Sequence, residues 1–105
     1  MTQKEAIKRL YGITDEKLLM QIEDLRRNLM EVFDTNWSPL FVLDLLAYFM
    51  MHKKYIDLID AIIDEKDKSI FGKRLEVFLN VLSIDDIVNM ISEFTEIEPK
   101  KSRRR

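Results

Sequence analysis

The chain has 105 residues, 47% hydrophobic and 34% charged, with two Gly, two Pro and no Cys. That length fits one small domain and excludes a multi-domain enzyme. So few turn residues exclude an all-β fold, so much apolar content excludes general disorder, and the lack of Cys removes disulfides, thiolate zinc sites and cysteine nucleophiles. The formal net charge of −2 conceals an asymmetry, because five of the 17 Lys and Arg occupy the last six residues. Without them the body opposes 12 basic to 19 acidic side chains, a net of about −7.

Thr2 followed by Glu5 forms a capping box, which predicts a short first helix from Gln3 to Tyr11 that Gly12 stops in a left-handed conformation. Thr14 is the expected cap of a second helix, whose stripe of Leu18, Ile22, Leu25, Leu29 and Val32 runs to about Phe33. Asp34 to Trp37 reads as a turn, after which Ser38 caps and Pro39 opens a third helix reaching about Met51. Its apolar residues point to every side, and Asp44 is its only charge. Such a helix is either central in a bundle or covered by a partner chain.

From His52 the pattern turns amphipathic, with Tyr55, Ile56, Ile59, Ile62 and Ile63 opposite Asp57, Asp60, Asp64 and Asp67. No Gly or Pro separates this stretch from the third helix, so residues 39–66 read equally as one bent helix or two. Ser69 is the expected cap of a helix striped by Phe71, Leu75, Phe78 and Leu82. Ser83 then opens another through Ile84, Ile87, Val88, Ile91 and Phe94, with Glu98 and Pro99 as its stop. The expected fold is all-α, a compact bundle of five or six short helices over residues 1–99 with a disordered basic tail over 100–105.

Catalytic chemistry finds little support. The single histidine, His52, has no thiolate or second imidazole beside it, and Gly12 and Gly72 are too isolated to cradle a phosphate. No metal site and no cofactor are expected. The four aspartates step by three, four and three, so on a continuous helix they fall within about 80° of its circumference. This acidic face is a candidate surface for a basic protein partner, or else a solvated side offset by nearby lysines. Trp37, Phe41, Leu45, Tyr48 and Phe49 are the candidate self-association residues, since five small helices cannot hide every side of the third.

Lys100, Lys101, Arg103, Arg104 and Arg105 follow Pro99 with no apolar residue among them. They can neutralise phosphates without reading a base sequence, or serve as a solubilising end. The expectation is therefore a non-enzymatic helical protein–protein interaction module that self-associates as a homodimer. The alternative is a small factor that binds nucleic acid through its tail. The N-terminus has neither the basic nor the apolar region of a signal peptide, and no apolar run approaches the roughly 20 residues a bilayer requires, so a cytoplasmic protein without a membrane role is expected.

Overall fold

In the computed structural model, which describes residues 2–99, every regular element is helical. The order is α1 (Gln3–Tyr11), α2 (Glu16–Phe33), α3 (Pro39–Met50), α4 (Lys53–Asp60), a 3-10 turn (Glu65–Asp67), α5 (Phe71–Val81) and α6 (Ile84–Thr95).

Side chains that satisfy free backbone N–H groups set several of these starts. Thr2 Oγ1 accepts the Glu5 N–H at 3.1 Å while Glu5 Oε1 accepts the Thr2 N–H at 3.0 Å. Asp15, and not Thr14, caps α2 by accepting the Lys17 N–H at 3.1 Å. Ser38 accepts the Phe41 N–H at 3.1 Å, and Pro39 occupies the first turn of α3. Ser83 and Asp86 form a reciprocal box at the start of α6, and the Ser83 N–H holds the Asp86 carboxyl below the usual carboxylate range.

Two starts and one stop differ from the sequence-based expectation. Ile70, not Ser69, occupies the cap of α5 and offers no side-chain acceptor. Helix α6 ends at Thr95 because Glu96 turns left-handed at φ 63°, ahead of Pro99. Residues 39–66 form two helices and a 3-10 turn. After Met50 the hydrogen bonds tighten, with Met51 N–H reaching Tyr48 and His52 N–H reaching Phe49, and His52 then adopts an extended conformation that ends one helix and opens the next.

Helix α3 is the centre. It packs against α1, α2, α4 and α5, and the Phe49 ring lies 5.9 Å from Phe94 of α6. Its residues Val42, Leu43, Leu46 and Phe49 are essentially inaccessible, and one continuous core joins them to Ile22, Leu29, Ile59, Leu75, Phe78 and Ile91. A helix with neighbours on so many sides must carry apolar residues on those sides, which explains a segment with one charge in 12 residues. Ile62, by contrast, drops out of the expected stripe and is exposed, because α4 has already ended.

Replacing Ile22, Leu46, Ile59 or Phe78 by Ala is expected to cost about 2 to 5 kcal/mol each, by lost burial plus the cavity left behind. Met20→Ala, on the exposed side of α2, is expected to cost under about 1 kcal/mol. Urea denaturation of the five variants measures both.

Candidate interaction surface

At 100° per residue the buried residues of α3 occupy one arc and leave Phe41, Leu45 and Tyr48 together on the opposite side. Phe41 is 38% exposed, Tyr48 is 54% exposed and Leu45 is half-buried between them. Ring contacts extend this row beyond both helix ends. Trp37 lies 5.1 Å from Phe41 and 5.2 Å from Phe33, while Tyr48 lies 5.2 Å from His52, which stacks at 4.7 Å on Phe94. An aromatic row thus runs from the α2–α3 loop, along α3, to the end of α6.

The loop end of the row is fixed by Arg26. Its Nε donates to the Trp37 carbonyl at 2.7 Å, and its Nη1 donates to Glu23 at 2.8 Å. A planar guanidinium with both contacts made holds the chain in one place, so Trp37 is positioned and not merely exposed. Asp34 helps by accepting the left-handed conformation, φ 53°, that ends α2.

The single charge of α3 is set to one side. Asp44 accepts a hydrogen bond from the Tyr11 hydroxyl, which places it on the edge of the row nearest α1. Burial of the Tyr11 ring, the hydrogen bond to Asp44 and the charge of that carboxylate together push the phenol up to about 12.

Four of the five residues expected at a self-association surface, Trp37, Phe41, Leu45 and Tyr48, come together here. The fifth is a correction: Phe49 is fully buried, because one step along the helix from Tyr48 turns it by about 100° into the core. His52 and Phe94 complete the row in its stead. His52 continues the Phe41, Leu45, Tyr48 spacing by one further turn, a signal present in the sequence, whereas Phe94 arrives through the packing of α6 and has no such signal. The His52 Nε2 is buried without a hydrogen-bond partner among the described residues.

The expected row of four aspartates on one helical face is not formed. Asp57 and Asp60 lie on α4, which ends at Asp60, and Asp64 and Asp67 belong to the following 3-10 turn. The first two are already engaged, Asp57 with Lys53 at 2.8 Å and Asp60 with Arg74 at 2.9 Å. The Asp57 hydrogen bond and charge hold the Lys53 ammonium above its usual range. No group of three or more His, Asp or Glu among the described residues is arranged to hold a metal ion. The depression lined by Gly12, Ile13, Leu18, Ile70 and Glu76 holds about 140 Å³, less than the roughly 300 Å³ at which small-molecule pockets begin. No helix of the described residues is long and apolar enough to cross a membrane. The proposed phosphate contacts Lys100, Lys101, Arg103, Arg104 and Arg105 lie outside the described residues.

Compared with protein-family models, curated proteins and solved structures, the chain has no match.

Because the folded state favours the protonated Tyr11 phenol, stability from this contact is complete below about pH 10 and is lost as pH rises from 10 towards 12. Tyr11→Phe is expected to unfold more easily than the parent at pH 8, and the difference is expected to shrink by pH 11. Urea titrations at the two pH values measure it.

Proposed function

We propose that this protein is a non-enzymatic helical interaction module that self-associates, and that the exposed side of α3 is its contact surface. The observation that carries the reading is the aromatic row itself. A central helix that has four helical neighbours still presents Phe41 and Tyr48 to solvent. Taking about 200 Å² for a large side chain, the exposures of 38% at Phe41, 54% at Tyr48 and 42% at Phe94 amount to about 270 Å², to which the half-buried Trp37 and Leu45 add. Contiguous apolar patches of roughly 300 to 600 Å² on small proteins are often functional. Aromatic side chains suit such contacts because they supply area at little cost in conformational entropy.

Sedimentation velocity tests the reading. The parent is expected to shift from monomer towards dimer as its concentration rises, and Phe41→Glu or Tyr48→Glu is expected to remain monomeric with unchanged helix content. Ile62→Glu places the same charge on an equally apolar but separate exposed residue and is expected to behave as the parent. A parent that stays monomeric at high concentration overturns self-association.

A second reading rests on the concentration of five cations in the last six residues. If the tail binds nucleic acid, affinity is sequence-independent and its logarithm falls with log salt at a slope of at most about −4 to −5. Deleting residues 100–105 removes it entirely, as filter binding at several salt concentrations would record.

A further inference from the structure

We infer that residues 61–70, the connection from α4 to α5, are a strap that Arg74 clamps shut, and that release of this strap is what first admits a protease to the folded chain. The device does not depend on the α3 surface being a contact.

Few side chains hold the connection in place. Of its ten residues only Ile63 is buried, while the apolar Ile62 and Ile70 stay about half exposed. Its backbone hydrogen bonds are all local. The Ile63 N–H reaches Ile59 at the end of α4, the Asp67 N–H reaches Asp64, the Lys68 N–H reaches Glu65 and the Ile70 N–H reaches Asp67. Among the described residues, no backbone hydrogen bond joins the connection to a helix other than its own two neighbours. The Glu65–Lys68 pair lies within the segment, with the Glu65 side chain 89% exposed, and anchors it to nothing else. Ordering ten residues has a large cost in chain entropy, and one buried isoleucine offsets a small part of it.

Arg74 supplies the missing hold. From the first turn of α5, its Nη1 donates to Asp60 Oδ1 at 2.9 Å and to the Lys68 carbonyl at 3.3 Å. One guanidinium thus spans the last residue of α4, the exit of the 3-10 turn and α5, and fastens both ends of the strap at a single point. The place is partly sheltered, since the Arg74 side chain is 20% exposed, and a charge-assisted hydrogen bond is stronger there than in the open pairs of the surface. Without the guanidinium, Ile63 is the only buried side chain left to keep the strap down.

Limited proteolysis detects such an opening, because a protease must draw several consecutive residues into its cleft and the rate of cutting follows the population of the open form. The strap suits this requirement. It contains Lys66 and Lys68 and no Pro, whereas every other lysine among the described residues lies inside an α-helix.

A lysine-specific protease provides the test, since substitution of Arg74 neither adds nor removes a site for it. In the parent, the first cut within residues 2–99 is expected after Lys66 or Lys68. Arg74→Ala is expected to speed that cut about tenfold, as suits the loss of a charge-assisted hydrogen bond, and to leave cuts at Lys8 and Lys17 at the parental rate. Asp60→Asn keeps the size of the side chain and is expected to speed cutting at the same place by a smaller factor. It decides the matter if Arg74→Ala loses helix content in circular dichroism. Leu46→Ala weakens the whole core and is expected to speed cuts at all lysines together. A first cut inside a helix of the parent overturns the inference. So does an unchanged rate at Lys66 and Lys68 in both strap variants, or a rise at every lysine alike.

Discussion

The structure depends on a problem of surface area. A 12-residue helix has about 18 Å of length, and the described residues form only five other α-helices, all but α2 of comparable or shorter length, with which to surround it. Helices α1, α2, α4 and α5 cover the arc of Val42, Leu43, Leu46 and Phe49, and the positions of the other elements follow from that requirement. The arc of Phe41, Leu45 and Tyr48 is what remains after the available helices have been used. Central burial is thereby realised on one side of α3, and an exposed apolar side remains on the other.

The polar contacts serve this arrangement more than they stabilise it. The exposed pairs Lys4–Glu16 and Lys53–Asp57 contribute little, because water screens both partners. Arg26 and Arg74 are different in kind, since each joins a carboxylate to a backbone carbonyl in a partly buried place. One fixes the loop that presents Trp37. The other ties α5 to the end of α4 across the 3-10 turn.

Much of this was legible in the residues, and the failures have physical reasons. Periodicity recovered the stripe of α2 and most of those of α5 and α6, because burial on one side leaves a repeat of three and four, but Phe94 of the expected α6 stripe is exposed, Met90 is buried in its place, and Leu82 lies past the end of α5. The capping box of α1 and the Ser83 start of α6 were equally readable, since caps are local, but the reciprocal bond from Asp86 was not read. The break at His52 was not, because no Gly or Pro marks it and the tertiary packing of α4 on α5 decides it. The acidic row depended on that missing break, so the four aspartates were placed on a face that the chain does not build. Phe94 joined the surface for the opposite reason, a long-range contact between α3 and α6 that spacing cannot reveal.

The distribution of helix caps has a consequence for how the molecule breathes. Helices α1, α2, α3 and α6 begin on a side chain that accepts a backbone N–H, whereas α4, the 3-10 turn and α5 begin without one. Each absent cap forgoes about 1 kcal/mol, so the stretch from Lys53 to Val81 is the least protected cooperative unit, with Arg74 as its latch. Helix α6 packs directly on α2, bypassing that stretch. Backbone amides at the uncapped starts of α4 and α5 are therefore expected to exchange with solvent ahead of those at the capped starts of α1, α2, α3 and α6.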